Sequence, residues 1–125
     1  MFKFYKCSKC GSIVLKVNDI GCPPSCCGEK MDLLEPNTVD AAVEKHVPAV
    51  ECDGAKVTVK VGAVEHPMTD VHYISYIILE TSDKFMVKEL TAADKPEAVF
   101  MMAEGEKSVA AYEYCTLHGF WKAEI

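Results

Sequence analysis

The sequence has no excess of positive charge. Its 125 residues carry 13 basic and 19 acidic side chains, which gives a formal net charge of −6 with neutral histidines. Proteins that bind nucleic acids generally present a basic patch to the phosphates. The composition therefore argues against a general nucleic-acid binder, although a single local cation can still dominate a small site for an anion.

The sequence also lacks long apolar runs. No stretch approaches the roughly 20 apolar residues of a membrane span. The N-terminal segment MFKFYKCSKCGS carries lysines where a signal peptide would have its apolar region. We therefore expect no membrane association and a location in the cytoplasm. Half of the residues are hydrophobic, which is enough for a packed core.

Cysteine, in contrast, is abundant. An odd number of cysteines in a reducing compartment is not typical of a disulfide framework and favours metal binding. The seven cysteines are Cys7, Cys10, Cys22, Cys26, Cys27, Cys52 and Cys115.

The uneven distribution of the cysteines predicts two domains. Five of the seven lie within residues 1–35, mostly in turns rich in Gly and Pro such as GCPPSCCGEKM. The segment LLEPNT, with Pro36 at its centre, has the composition of a linker. We therefore predict a small module over residues 1–36 and a larger domain over residues 37–125.

The larger domain has the pattern of an all-β fold. Val57, Val59 and Val61 alternate with polar residues, so they would share one face of a strand. HYISYIILE is more continuously apolar, as in a strand covered on both sides, and KFMVKEL, AVFMMAE and SVAAYEYC follow at short intervals. Several short strands at this spacing indicate a sandwich or a barrel.

One short helical turn is predicted before these strands. It falls in VDAAVEKH, with Thr38 as a candidate N-cap residue. Pro48 should end the turn, because a proline disfavours the α conformation at the residue before it.

Four cysteines of the small module have the spacing of a metal site. Cys7-x-x-Cys10 and the adjacent pair Cys26–Cys27 are each followed by a glycine, so the backbone can turn after each pair. Four thiolates suit tetrahedral zinc or iron, and the spacing does not choose between them. A free pair of thiols and a redox C-x-x-C motif are the alternatives, and the usual βαβ context of a redox motif is absent from the sequence pattern.

The sequence has only four histidines, and all four occupy similar positions in the predicted fold. Each lies in a loop or at the expected end of a strand, where scaffolds commonly hold functional groups. Taken singly, each is more often structural than a ligand, but together with one cysteine they offer five donors. Five donors on an octahedral iron leave one position open, and imidazole and thiolate both suit iron. The residues are His46, His66, His72, His118 and Cys115.

Five motifs together resemble those of the desulfoferrodoxin family, the two-iron superoxide reductases. YKCSKCG and CCGEKM are similar to the desulforedoxin-like N-terminal module of that family. EKHVP, VEHPMTDVHYI and YCTLHGFWK are similar to the successive motifs of its catalytic domain and occur in the same order. The resemblance covers essentially the whole chain.

The resemblance implies a desulforedoxin-like module over residues 1–36 and a seven-stranded immunoglobulin-like β-sandwich over residues 37–125. It also implies two irons in each chain. Four cysteines would hold the first in a distorted tetrahedron, and four histidines in a plane with one axial cysteine would hold the second. The implied ligands are Cys7, Cys10, Cys26 and Cys27 for the first iron, and His46, His66, His72, His118 and Cys115 for the second.

The same resemblance implies an activity. The chain would be a superoxide reductase, which reduces superoxide by one electron to hydrogen peroxide at a mononuclear non-haem ferrous centre. An external donor, rubredoxin or a similar small carrier, would re-reduce the iron, and the assembly would be a homodimer. Glu44 would occupy the sixth position of the oxidised iron. Lys45 would attract superoxide and help to position the water that delivers a proton.

Two other functions stay open. The chain could be a rubredoxin-like electron-transfer protein without turnover, or an interaction module stabilised by zinc. Cys22 and Cys52 are interpreted as spare thiols. Cys22 leaves open which cysteine is paired with Cys27, although the adjacent-pair motif favours Cys26.

Overall fold

Two compact units make up the computed structural model, which describes residues 2–125. The first unit ends at Glu35, and the second comprises Pro36–Ile125. Strands dominate both units, so the all-β prediction is confirmed. Within the described residues, no helix is long and apolar enough to cross a membrane.

Five short strands build the first unit, in chain order β1 (Lys3–Lys6), β2 (Ile13–Lys16), β3 (Ser25–Cys26), β4 (Glu29–Lys30) and β5 (Asp32–Leu33). Three of them form a sheet in the order β2-β1-β5, and the other two form the hairpin β3-β4. Their small core consists of Tyr5, Cys7 and Met31. One of the predicted metal ligands is therefore itself part of the core of this unit.

Seven strands build the second unit, in chain order β6 (Pro48–Asp53), β7 (Lys56–Val61), β8 (Ile74–Thr81), β9 (Phe85–Glu89), β10 (Glu97–Met101), β11 (Ser108–Cys115) and β12 (Gly119–Glu124). They form a three-stranded sheet, β10-β7-β6, and a four-stranded sheet, β12-β11-β8-β9. All pairings in both sheets are antiparallel. Apolar side chains from both sheets share one buried core. The seven-stranded β-sandwich is therefore confirmed.

The side-chain alternation along β7 explains how the two sheets meet. Val57, Val59 and Val61 are almost fully buried, while the intervening Lys60 is exposed. The three valines belong to the same core as Ile77 of β8. Burying one such side chain contributes about 1.5–3 kcal/mol, so this face of the strand is enough to fix its register.

A single turn of helix, α1 (Val43–His46), precedes the sandwich. The prediction of Thr38 as its N-cap residue is wrong. The turn begins after Ala42, which carries no capping side chain, and Thr38 lies too early in the chain to reach the first amides of the turn. The predicted end is confirmed, because Val47 is extended immediately before Pro48.

Candidate metal centres

Four imidazoles and one thiol meet in the second unit. His46 is the last residue of α1, His66 and His72 lie in the connection between β7 and β8, Cys115 ends β11, and His118 lies in the turn before β12. One donor atom from each residue lies within 4.8 Å of every other. The five residues singled out in the sequence are therefore brought together, and we call them the histidine cluster.

The four imidazoles of the histidine cluster form a closed square. The ring centroids of His46 and His66 are 4.8 Å apart, those of His66 and His72 4.6 Å, those of His72 and His118 5.0 Å, and those of His118 and His46 4.9 Å. Each ring is nearly perpendicular to its neighbour, with interplanar angles between 77° and 89°. Four imidazoles around one centre would adopt such an arrangement.

The Cys115 sulfur lies close to two opposite corners of this square. It is 3.4 Å from Nε2 of His66 and 4.0 Å from Nδ1 of His118. These two imidazoles are not neighbours in the square, so a sulfur close to both lies near its central axis. Cys115 is completely buried. The thiol therefore occupies the protein side of the square and offers a fifth donor near its axis.

Two backbone carbonyls orient imidazoles of the square. Nδ1 of His46 lies 2.7 Å from the oxygen of Ala42, and Nδ1 of His66 lies 2.6 Å from the oxygen of Pro67. An imidazole that donates from Nδ1 to a carbonyl presents Nε2 as an electron pair, which is the usual arrangement around a metal. Both rings are thus oriented to bind a metal through Nε2.

His118 is turned the other way. Its Nδ1 lies 3.1 Å from Nε2 of His46, so Nδ1 is the atom that faces the centre. The buried indole of Trp121 donates a hydrogen bond of 3.1 Å to the backbone oxygen of His118 and stacks on the His46 ring at 4.9 Å. One tryptophan therefore supports two corners. Sequence reasoning missed it, although it is the only tryptophan in the chain.

The donors fit a metal ion. Nε2 of His72 is buried and has no hydrogen-bond partner among the described residues. A buried polar atom without a partner is costly, and a metal ion at the centre would supply the missing interaction. Imidazole nitrogens and a cysteine sulfur are a donor set that suits iron.

Burial sets the protonation of these donors. It lowers the pKa of His66 to about 4 and also lowers the pKa values of His46 and His72, so these imidazoles are neutral near pH 7, which is the form that binds metals. Burial raises the pKa of the Cys115 thiol. A bound cation would counter that effect by stabilising the thiolate.

Two charged residues precede His46 on α1. Glu44 and Lys45 are both exposed. The Glu44 carboxylate is not among the donor atoms that lie within 4.8 Å of one another. The structure therefore places both predicted catalytic residues on the turn that ends at the histidine cluster, with Glu44 outside the set of donors.

Gly62, which follows β7, allows a close approach of two backbones. A Cβ atom at this position would lie 2.7 Å from the carbonyl oxygen of Glu44 and 3.0 Å from that of Val47. The N–H of Val64 donates a hydrogen bond of 2.9 Å to the same Glu44 oxygen. Only glycine therefore lets the connection after β7 pack against the turn that carries His46.

Four cysteines meet in the first unit. One sulfur from each of Cys7, Cys10, Cys26 and Cys27 lies within 4.8 Å of every other, and we call this group the thiol cluster. The sulfurs of Cys10 and Cys26 are 3.6 Å apart, and the N–H of Cys10 donates to the sulfur of Cys7 at 3.5 Å. The predicted four-cysteine grouping is thus present, and Cys22 lies outside it.

A tight turn explains how two adjacent cysteines reach one centre. Cys26 ends β3, and the next two residues, Cys27 and Gly28, have φ values of 52° and 77°. Two successive residues with positive φ between paired strands are typical of a type I′ hairpin turn. The reversal at Cys27 brings its sulfur to 3.8 Å from that of Cys26.

The thiols of this cluster cannot all ionise without a counter-charge. Hydrogen bonds from Ser12 lower the pKa of Cys10 to about 6, and the neighbouring Cys10 sulfur raises the pKa of Cys26 to about 12. One thiolate therefore suppresses ionisation of the next. A bound cation would remove this conflict, so the donor chemistry fits a metal in the first unit as well.

Comparison with known proteins gives the family. The family model described as desulfoferrodoxin matches residues 38–124. The chain belongs to the desulfoferrodoxin family. It is 48% identical to the desulfoferrodoxin of Desulfarculus baarsii over 120 residues, which cover 96% of this chain and 94% of that one. It is 45% identical to the desulfoferrodoxin of Nitratidesulfovibrio vulgaris, with 98% and 96% covered. The predicted family membership is confirmed.

Solved structures agree with this assignment. The superoxide reductase from Treponema pallidum is 36% identical and superposes with a TM-score of 0.85 over 99% of both chains. The superoxide reductase (1Fe-SOR) from Giardia intestinalis is 31% identical, with a TM-score of 0.59, and covers 66% of this chain and 97% of its own. Both neighbours are named for an oxidoreductase activity.

Proposed function

We propose that this desulfoferrodoxin-family chain is a superoxide reductase, which reduces superoxide by one electron to hydrogen peroxide at the histidine cluster. The square of four imidazoles with a buried sulfur on its axis carries the proposal. Such a donor set would supply five of the six ligands that an octahedral ion takes and would leave one place for a small ligand. The similarity to the Treponema pallidum superoxide reductase supports the same activity.

The protein would hold iron in both clusters. The proposed ligands are His46, His66, His72, His118 and Cys115 in the histidine cluster, and Cys7, Cys10, Cys26 and Cys27 in the thiol cluster. A ferrous ion in the histidine cluster would supply the single electron that superoxide accepts. The four-cysteine module would extend over residues 1–36 and the superoxide reductase domain over residues 37–125.

The protein side chains would bring the anion and its protons together. The Lys45 ammonium is exposed one residue before His46, where its charge would attract superoxide. Superoxide needs one electron and two protons to become hydrogen peroxide; a water held at Lys45 Nζ would deliver one proton, and the solvent that fills the open side of the site would deliver the other. Glu44, on the same turn, would occupy the sixth position when the iron is oxidised.

The remaining partners follow from the same proposal. An external one-electron donor, rubredoxin or a similar small carrier, would restore the ferrous state after each turnover. The chain would act as a homodimer in the cytoplasm. A reducing compartment is consistent with seven cysteines, none of which forms a disulfide.

Metal analysis and pulse radiolysis test the proposal together. We expect two irons in each chain, oxidation of the ferrous centre by superoxide, and one hydrogen peroxide for each superoxide without dioxygen. Cys115→Ser should abolish turnover and the ferric–thiolate absorption of that centre, whereas Cys52→Ser, at an exposed position outside both clusters, should change neither.

Three results would contradict the proposal. A colourless protein with two zincs would indicate an interaction module. A ferrous centre that superoxide does not oxidise would indicate an electron-transfer protein. Near-normal turnover by Cys115→Ser would exclude the role of the axial sulfur.

A further inference from the structure

A cavity of about 470 Å³ adjoins the histidine cluster, and we call it the entry cavity. Lys45 and His66 line it on the side of the cluster, while Asp94 and Lys95, from the loop before β10, and Glu65 also line it. Two lysines from distant parts of the sequence thus share one cavity with an imidazole of the square.

The loop that carries Lys95 is tied to the same strand end as His66. The carbonyl of Pro96 accepts a hydrogen bond of 2.8 Å from the N–H of Val61, and the carbonyl of Val61 accepts one of 2.8 Å from the N–H of His66. The carbonyl of Lys95 accepts another from Glu97, also at 2.8 Å. The backbone of Lys95 therefore has a fixed position relative to the histidine cluster.

Neither lysine of the entry cavity forms an ion pair with a carboxylate of the described residues. Among residues 2–125, no carboxylate lies within 4.0 Å of Nζ of Lys45 or Lys95. The Asp94 carboxylate is engaged by its own turn, because it accepts hydrogen bonds from the N–H and the hydroxyl of Thr91 at 2.7 and 3.0 Å. Glu65 is exposed and is the acid of the cavity without such a constraint.

We infer that the entry cavity is an anion-binding site through which superoxide approaches the histidine cluster, and that Lys95 is its second cation. This inference rests on the proposed superoxide reductase activity. Two like charges at one cleft focus the field and raise the local concentration of an anion, and salt screens the effect. The carboxylates of Glu65 and Asp94 oppose it from the same cavity, and the hydrogen bonds from Thr91 hold the Asp94 carboxylate in its own turn without removing its charge.

Charge-neutralising variants with matched net charge test the inference. The second-order rate of oxidation of the ferrous centre by superoxide is measured by pulse radiolysis at low and high ionic strength. Lys95→Gln should lower the rate about two- to threefold at low salt, and the difference should shrink at high salt. Lys45→Gln should lower it more, because Lys45 adjoins His46.

Lys107→Gln is the control. It changes the net charge equally, but Lys107 precedes β11, whose opposite end is Cys115. Eight residues of strand span about 25 Å, which exceeds the screening length of about 8 Å at physiological salt. Its rate should match that of the unmodified protein at moderate salt. Equal rates for Lys95→Gln and Lys107→Gln would overturn the inference.

Glu65→Gln changes the charge of the entry cavity in the opposite direction, because it removes a negative charge. Removing this acid from the entry cavity should raise the rate at low salt by about twofold. A rate lowered by both Lys95→Gln and Glu65→Gln would indicate a disturbed loop rather than lost charge, and it would also overturn the inference.

Anion binding without turnover separates this inference from the proposed function. Thiocyanate is titrated into the zinc-loaded full chain, and amide shifts around Lys45 and Lys95 are followed by NMR. We expect saturable shifts that Lys95→Gln weakens and Lys107→Gln does not. If superoxide leaves the unmodified ferrous protein unchanged, the proposed activity fails, and this titration still decides whether the cavity binds anions. If the shifts are absent, or equal in both variants, the entry cavity is not the anion-binding site.

Discussion

The two clusters of metal-binding side chains are built in opposite ways. The thiol cluster takes its donors from residues 7–27, and two of them, Cys10 and Cys27, are exposed. The histidine cluster takes its donors from residues 46–118, and Cys115 at its axis is completely buried. One cluster is made by a short segment that turns back on itself, and the other by the convergence of distant loops at a sandwich.

The difference predicts a different role for a metal in each unit. The first unit buries only four apolar side chains among its described residues, and one of them is Cys7. Chains of fewer than about 40 residues usually need a metal, a disulfide or oligomerisation to fold. The second unit buries an apolar core drawn from both sheets, so its donors are positioned without the ion. A metal in the first unit would be needed for folding, whereas a metal in the second unit would be needed for activity but not for folding.

The largest effect should come from breaking the thiol cluster. Cys10→Ser should remove metal from the first unit and with it most of that unit's ordered structure, because metal binding and folding are coupled in such small modules. Amide NMR signals of residues up to Glu35 should lose dispersion, while those of the second unit should remain. Cys22→Ser, in the same unit but outside the cluster, is the control. Retained dispersion in metal-free Cys10→Ser would show that the first unit folds without its ion.

A smaller effect should follow from Gly62→Ala, which acts on the other cluster. The added Cβ would clash with the backbone of the turn that carries His46, so that turn must shift. We expect iron affinity of the histidine cluster to fall about tenfold, as for changes to groups that orient metal ligands. The unfolding temperature of the first unit, which holds the thiol cluster, should not change. The exposed neighbour variant Ala63→Ser is the control, and equal iron affinity in both variants would refute the role of Gly62.

Trp121→Phe should have a milder effect on the same cluster. Phenylalanine keeps a ring to stack on His46 but loses the hydrogen bond to the His118 carbonyl. The net contribution of such a bond is about 1 kcal/mol, so iron affinity should fall by about fivefold. Isothermal titration of the apoprotein with ferrous ion measures this. A full loss of iron, or none, would mean that Trp121 supports the cluster by another route.

The smallest effect concerns acid stability of the second unit alone. Glu106 accepts hydrogen bonds from Thr81 and from the N–H of Ala103, and these and Lys84 lower its pKa. A carboxyl with a lowered folded-state pKa stabilises the fold above its unfolded pKa, and this stabilisation is lost as pH falls through the folded pKa. Glu106→Gln should therefore flatten the acid limb of the thermal-unfolding profile of the second unit. An unchanged acid limb would show that Glu106 is not responsible.

Local patterns predicted the strands that matter most. The alternation at Val57, Val59 and Val61 appears as a buried face of β7, and the continuous apolar run appears as β8, where Ile77 and Leu79 are fully buried. Both signals depend on residues a few positions apart. The donor sets followed from motif order, which is also a property of the sequence.

Features that depend on tertiary geometry were not predicted. The use of Nδ1 by His118, the support from Trp121 and the close approach at Gly62 all arise where distant segments meet. The sequence pattern predicted no strand after SVAAYEYC, whereas the structure has β12, in which Phe120 and Trp121 are buried in succession and depart from the period of two. Sequence spacing carries no information about which ring nitrogen faces a centre.

The order of corners around the imidazole square also has a consequence for how a metal would be captured. The chain visits the corners in sequence, and only the shortest side, between His66 and His72, is closed by one loop, which the Thr69–His72 bridge fastens. Holding two donors together across so few residues costs little chain entropy, so this pair has a high effective concentration in a partly folded chain, as do Cys115 and His118, which are three residues apart. A metal ion captured during folding would thus meet two local pairs of donors, which the sandwich then brings together with His46.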